Sequence, residues 1–481
     1  MSVQALSASA ALPRLLFGAP MKGAMALREH LAVHGELPSG HSPSRRGAPA
    51  LIDDVEAAGL TGRGGAAFPT ATKMRAVADA AGRGRRLPVS LSRRRPVVVV
   101  NAVEGEPASL KDKKLLEVLP HLVLDGASLA AQALGADEVI VAVCERALDA
   151  HGGVAHAIAE RPPELDAHVR WRLEKLPAAY VSGQESALVS FLSGSEAKPS
   201  FTPPMPFAHG VRGRPTLVSN AETFAHLALI ARHGADWFRG LGTPLEPGSA
   251  LLSVSGPVMH PGVYEAEYGS SLASIIEAAG GHTAEVRAVL IGGYAGAWAD
   301  WRDLDALALS NEELASYGAS VGTGVIALLS ADSCGLAETR RVARWLASES
   351  AAQCGPCVFG LDALASTLEH ALAGTAERGA RDRLSHLSAI VRRRGACSHP
   401  DGAARLVSSA LDVFATELAD HIRHGPCVAC ADPGSLPLPV PGAPVPAPAG
   451  SGLDVRRPPR TRAPEPLGAQ LVAARSAATG A

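Results

Sequence analysis

No apolar run in this 481-residue sequence approaches the ~20 residues that a membrane-crossing helix needs. Its first residues also lack the charged, apolar and cleavage segments of a signal peptide, so a soluble, cytoplasmic chain is expected, meeting membranes only through partners. Neither sign of charge is in excess: 45 Lys and Arg stand against 47 Asp and Glu, which removes the electrostatic case for nucleic acid or an anionic membrane as ligand. Cysteine is sparse. Of the seven, Cys144 stands alone and the rest fall between Cys334 and Cys430, a placement that in a reducing compartment favours metal ligands or free thiols over disulfides. No Gly-Lys-Ser/Thr closes any glycine-rich run of interest, so a Walker A loop is excluded.

What is present is a chain long enough for two to four domains. Its most informative stretch is Gly59-Leu60-Thr61-Gly62-Arg63-Gly64-Gly65-Ala66-Ala67-Phe68-Pro69-Thr70-Ala71-Thr72-Lys73. Glycines there can turn backbone N–H groups toward an anion while Arg63 and Lys73 supply positive charge, which reads as a nucleotide-phosphate cradle. The Rossmann fingerprint does not apply, because Leu51 to Leu60 have helical rather than strand spacing. From Leu51 to Gly240 strands such as Pro96–Val100 and Glu138–Val143 alternate with helical segments, an α/β pattern. The first of these strands runs into Asn101-Ala102-Val103-Glu104-Gly105-Glu106-Pro107, and loops at the carboxyl ends of strands are where α/β sheets bind ligands.

Three further runs follow in order: Tyr180-Val181-Ser182-Gly183-Gln184-Glu185-Ser186-Ala187-Leu188, then Pro215-Thr216-Leu217-Val218-Ser219-Asn220-Ala221-Glu222-Thr223, then Glu349-Ser350-Ala351-Ala352-Gln353-Cys354-Gly355-Pro356-Cys357 with a remote Cys397. Together with the glycine stretch, this series resembles the NADH-oxidising flavoprotein subunit of respiratory complex I and its relatives in NAD-linked hydrogenases and formate dehydrogenases, from about Leu12 to Cys397. The resemblance implies a mixed α/β protein: an N-terminal extension (1–45), an FMN- and NADH-binding α/β domain (46–243), a small β-grasp domain of the soluble-ligand-binding type (249–330), a helical iron–sulfur domain (331–430), and a disordered Pro/Ala-rich tail (431–481). It implies an NADH dehydrogenase-type oxidoreductase in which NADH reduces FMN and single electrons pass to a 4Fe–4S cluster and then to a ferredoxin-like or thioredoxin-fold iron–sulfur subunit. The alternatives are a flavin and iron–sulfur carrier that uses no nicotinamide nucleotide, and a catalytically silent assembly module.

Carried over position by position, the resemblance makes Gly62, Arg63, Gly64, Gly65, Phe68, Lys73, Asn101, Glu104, Glu106, Gly183, Glu185, Ser219 and Asn220 the cofactor-binding residues. Glu106 and Lys73 are the candidate catalytic pair. Departures from the family pattern are informative: Val103 replaces an Asp and Gln184 a Glu, while Ala76 and Met205 stand where aromatic rings stack on the adenine. Losing the Gln184 charge loosens the preference for NADH over NADPH. Cys354, Cys357 and Cys397 match three cluster ligands, and the first ligand is Ala351, which cannot bind iron. Cys334 is the best substitute fourth ligand, although a straight helix of roughly 17 residues, ~25 Å long, would hold it out of reach. Finally His421-Ile-Arg-His424-Gly-Pro-Cys427-Val-Ala-Cys430 suits either a small zinc or redox site or a plain solvent-exposed helix end, and the latter is the expectation.

Overall fold

The computed structural model describes residues 2–3, 12–38, 47–84, 95–376, 379–432, 434–439 and 453–454. The linker expected at Ser39–Ser44 and most of the Pro/Ala-rich tail lie outside them. Eleven strands, β1 to β11 in chain order, form two sheets among the described residues.

The first sheet has the order β11-β4-β3-β2-β5. Its parallel strands are β2 (Val97–Ala102), β3 (Glu138–Cys144), β4 (Arg170–Leu176) and β5 (Thr216–Asn220), edged by the short antiparallel β11 (Leu453–Asp454). Val97 to Val100 and Val139 to Val143 are buried, as continuous β-branched runs must be in a sheet covered on both faces. Helices Pro120–Leu134 and Ala221–His233 pack together over this sheet, and Gly126 makes their approach possible: a Cβ there would lie 1.8 Å from the Phe224 carbonyl oxygen. Residues ahead of the expected domain join this core. Leu15, Leu16 and Met25 are buried in it, and the Leu15 and Leu16 N–H groups donate to the Glu265 carboxylate at 2.9 and 3.0 Å.

The second sheet is mixed, ordered β1-β7-β6-β10-β8-β9. A hairpin of β6 (Ser249–Ser255) and β7 (Gly262–Glu267) lies beside β10 (Val325–Ser330), which runs parallel to β6 and antiparallel to β8 (Val286–Ile291); β9 (Ala297–Asp300) and the two-residue β1 (Ser2–Val3) are its edges. Helix Leu272–Ala278 covers one face through Leu272, Ile275 and Ile276. The opposite face, through Ala288, Leu290, Ala327 and Leu329, belongs to the core of a helical region made of Gly335–Ser348, Leu361–Leu372, Ala380–Val391, His399–Val413 and Ala415–His424. Leu384, Val407, Leu411 and Leu418 are buried in that bundle, as their 3.6-residue spacing requires. No helix among the described residues is long and apolar enough to cross a membrane.

Candidate functional site

The chain passes from β2 to β3 and β4 on one side and returns to place β5 on the other side of β2. The order therefore reverses between β2 and β5, and the crevice beyond the carboxyl ends of two such strands is the place where an α/β sheet takes a ligand. Asn101 and Asn220 are register partners at those ends. A cavity of about 620 Å³ opens there, and all thirteen residues expected to bind cofactor line it.

The glycine stretch forms one wall. A Cβ on Gly64 would meet only the Asn220 side chain, at 3.4 Å, so the position is open toward the cavity. Two helices begin at the cavity: Glu185–Leu192, capped by Gln184, whose side-chain oxygen accepts from the Ser186 and Ala187 N–H groups at 2.9 and 3.0 Å, and Ala221–His233, capped by Asn220. Their positive dipole ends favour an anion. Lys73 reaches across, 3.2 Å from both Glu185 oxygens and 2.9 Å from the Val218 carbonyl. Phe68 stands half exposed at the rim. Gly183 lies so close to the β2 loop that a Cβ would fall 2.4 Å from the Val103 carbonyl, and Asn101 ties the same loop by donating to the Gly183 carbonyl at 2.8 Å.

Two residues act differently from expectation. Arg63 is buried and its guanidinium is engaged by the fold: it donates to the carbonyls of Thr61, Ser249 and Pro247 and to Thr61 Oγ1, with Tyr268 4.8 Å away as a ring partner. Its donors are consumed in pegging the loop to the start of β6. Glu104 likewise spends both oxygens on the fold, accepting from Ser109 Oγ at 2.6 Å and from the N–H groups of Asp112 and Lys113 at 3.1 and 3.0 Å, as a cap on helix Lys111–Val118. Glu106, by contrast, faces the cavity from a fully buried position. It accepts from the Tyr294 N–H at 2.9 Å and Thr323 Oγ1 at 3.2 Å, and burial pushes its carboxyl up to about 7.

Sequence reasoning misses several residues around the cavity. Lys111 is buried on the floor between Asp112 at 2.9 Å and Glu222 at 2.8 Å; burial opposes its charge, but these two carboxylates outweigh it and raise the ammonium above its ordinary value. Glu222 stands inside the run that begins at Pro215, and Lys111 inside the stretch that continues from Asn101 to Asp112; that membership is the available signal. Thr323 comes from the second sheet's turns, and His399 and Arg405 from the helical region. No local pattern marks those.

The same cavity reaches Cys397. Near it Cys357 is buried, and burial pushes its thiol up, with Cys354 adding to the effect. Burial, with Cys357 and Cys354 adding to it, pushes the Cys397 thiol up to about 11. Cys354 and Cys357 are thus near enough to Cys397 to act on its thiol, and the buried Ala351 offers no fourth sulfur. Cys334 does not fill the gap. It caps the far end of the continuous helix Gly335–Ser348, about 21 Å of helix away from the Cys354 motif, so the helix neither breaks early nor folds back. The two sites are joined through Glu349, which accepts the Tyr180 N–H at 2.7 Å, and through Tyr180, whose ring lies 5.1 Å from that of His399.

Residues 55–229 match the family described as the Nuo51 FMN-binding domain, and residues 337–421 match the NADH-ubiquinone oxidoreductase-F iron-sulfur binding region. The chain is 31% identical over 389 residues to the F 2 subunit of the NADH-quinone oxidoreductase of Rhizobium meliloti, covering 78% of this chain and 90% of that protein. It is 32% identical over 377 residues to the alpha subunit of the NAD-reducing hydrogenase HoxS of Cupriavidus necator, covering 76% of this chain and 59% of that one. Among solved structures, an NAD+-reducing NiFe-hydrogenase in its H2-reduced state superposes with a TM-score of 0.73 at 31% identity, covering 86% of this chain and 67% of the other.

Proposed function

The chain belongs to the family of NADH-oxidising flavoprotein subunits found in NADH-quinone oxidoreductases and NAD-reducing hydrogenases, with their FMN-binding and 4Fe–4S-binding regions, and from that premise we propose how its own residues divide the work. The observation that carries the reading is a single cavity lined by both the glycine loop and Cys397.

The cavity's glycine wall and its two helix N-termini fit a phosphorylated flavin, with Gly62, Gly64 and Gly65 giving backbone access and Ser219 and Asn220 holding the phosphate end. FMN, when bound, supplies the change from two-electron hydride chemistry to one-electron transfer. Lys73 and Glu185 form a half-exposed ion pair beside it that positions the nicotinamide nucleotide, and Phe68 offers a ring face to the adenine. Glu106 keeps a proton near neutral pH next to the reacting ring and excludes a second negative charge there. Arg63, Glu104 and Asn101 fix the loops that carry these groups. Gln184 preserves the helix cap of its site while leaving out the charge that would reject a 2′-phosphate, so both NADH and NADPH are accepted.

Cys354, Cys357 and Cys397 would hold the 4Fe–4S cluster, which would supply one-electron transfer, and Cys334, on the far side of its helix, would not complete the set. Residues 46–243, 249–330 and 331–430 act as flavin, β-grasp and cluster domains. The chain passes electrons to an iron–sulfur subunit of ferredoxin-like or thioredoxin fold in the cytoplasm. The test is FMN retention together with NADH-driven reduction of ferricyanide by the purified protein. Stoichiometric FMN with turnover is expected, and a protein that takes up FMN but does not turn over NADH would leave the carrier alternative in its place.

A further inference from the structure

At the end of the helical region opposite the Cys354 motif, Cys334, His421, Cys427 and Cys430 bring three sulfurs and one imidazole nitrogen within 4.8 Å of one another. We propose that these four side chains bind a zinc ion, a second metal site distinct from the cluster and closed by four protein ligands.

The spacing fits a mononuclear tetrahedral ion. Sulfur–sulfur separations are 3.6 Å for Cys427–Cys430 and 3.6 Å for Cys430–Cys334, and His421 Nε2 lies 3.4 Å from Cys334 and 3.8 Å from Cys430. A tetrahedral zinc with metal–sulfur bonds near ~2.3 Å sets its sulfurs about 3.8 Å apart. Disulfide bonding needs a sulfur separation near ~2 Å, which none of these pairs has. Cysteines on an iron–sulfur cube bind different irons and stand further apart than ligands of one ion.

The surroundings are those of a metal ligand set. His421 Nδ1 is 2.9 Å from the Gly425 carbonyl, which can only accept, so the ring proton sits on Nδ1 and the Nε2 lone pair faces the sulfurs. Cys334 caps helix Gly335–Ser348 and receives the Ala337 N–H at 3.2 Å, so its sulfur already sits as an acceptor at the helix start. Glu417 accepts from the Cys334 thiol at 3.0 Å while also holding the Leu336 N–H at 2.9 Å and Arg287 at 2.8 Å. Loading zinc displaces one proton from each of the three thiols to solvent and changes no oxidation state, since zinc has no redox chemistry. Cys334 and His421 are buried and Cys427 is exposed, which gives the ion an entry side.

Its role follows from what the clamp ties down. It pins the turn Val428–Ala431 to the start of helix Gly335–Ser348, and the chain beyond it lies along the protein: Ser435 and Leu436 N–H groups donate to Glu338 at 2.8 and 3.2 Å, and Tyr294 Oη donates to the Pro437 carbonyl. The ion is a structural staple for this strap. Cys334, Cys427 and Cys430 all lie outside the segment matched to the iron–sulfur family.

The experiment is metal analysis of the full-length protein after zinc exposure and desalting, with flavin content as the fold control. One zinc per chain is expected in the wild type and in Cys357→Ser. Cys427→Ser, at an exposed position, and Cys427→Ser/Cys430→Ser should lose it at unchanged flavin content, and cobalt should give the visible bands of a tetrahedral thiolate site in the wild type and Cys357→Ser but in neither of the other two variants. Zinc retained by the double variant, iron in place of zinc, a Cys427–Cys430 or Cys334–Cys430 disulfide in protein purified without metal exposure, or zinc in the wild type no higher than in the double variant would each overturn the proposal.

Discussion

Replacing Glu106 by Gln tests the electrostatics of the cavity most sharply. The carboxyl is fully buried, and burial moves it from its ordinary 4.5 to about 7, so the fold favours the protonated form. Its contribution to stability is complete below about pH 4.5, falls as pH rises, and is lost above about pH 7. The pKa displacement corresponds to a penalty of about 3 kcal/mol for the ionised group, an upper figure because the site can relax. Glutamine keeps an oxygen for the Tyr294 N–H, which Glu106 accepts at 2.9 Å, and offers an N–H to Thr323 Oγ1, so the variant should lose little packing. At pH 5 the two proteins should melt together, and at pH 8.5 Glu106→Gln should be the more stable by roughly 1–3 kcal/mol, or several °C in Tm. Thermal unfolding of both proteins across this pH range, followed by flavin and intrinsic fluorescence, gives the comparison. A Tm difference that does not change between pH 5 and 8.5 would refute the buried, protonated Glu106. In the same variant a titration near pH 7 should vanish from the kcat/KM profile for NADH.

Gly64→Val should fold, because its first carbon meets only Asn220 at 3.4 Å, but its methyls enter the cavity and bound FMN should fall at least tenfold; stoichiometric flavin in the variant would remove this loop from the cradle. Gln184→Glu retains an oxygen to cap helix Glu185–Leu192 and adds a charge, so the NADH over NADPH ratio of kcat/KM should rise about tenfold or more, and an unchanged ratio would take residue 184 out of nucleotide selection. Iron and sulfide analysis after anaerobic reconstitution should give a full cluster in Cys334→Ala and none in Cys357→Ser; iron lost from Cys334→Ala alone would show that the helix between them does not separate the two sites.

Much of the fold is legible in the sequence because its signals are local. The stretches 97–100 and Glu138–Cys144 are continuous buried runs, and the bundle helices announce themselves by the spacing of Val407, Leu411 and Leu418. The cavity is legible for the same reason, each wall being a short contiguous run at a strand or helix end. What escapes depends on partners distant in sequence. Arg63 sits in a glycine loop and invites an anion, yet its donors are taken by carbonyls near Ser249, 186 positions away. Glu104 looks like a ligand carboxylate until the fold brings the first turn of helix Lys111–Val118 onto it. Cys334, read locally, points to the cluster, because nothing nearby shows that Cys430, 96 positions later, returns to its side. The Cys427-x-x-Cys430 spacing alone cannot announce a site whose other two ligands arrive by tertiary packing.

The central claim is that electrons enter as hydride from a nicotinamide nucleotide, reach FMN in the cavity between β2 and β5, and leave through the three-thiolate cluster beyond Cys397. Anaerobic titration of the reconstituted protein with NADH, followed by absorbance and by EPR of the same samples, addresses it directly. The flavin band should bleach and a reduced-cluster signal should grow in with it, the cluster signal being absent from Cys357→Ser while the bleaching persists. A flavin that NADH leaves oxidised, or a cluster that stays oxidised while the flavin is fully reduced, would contradict it.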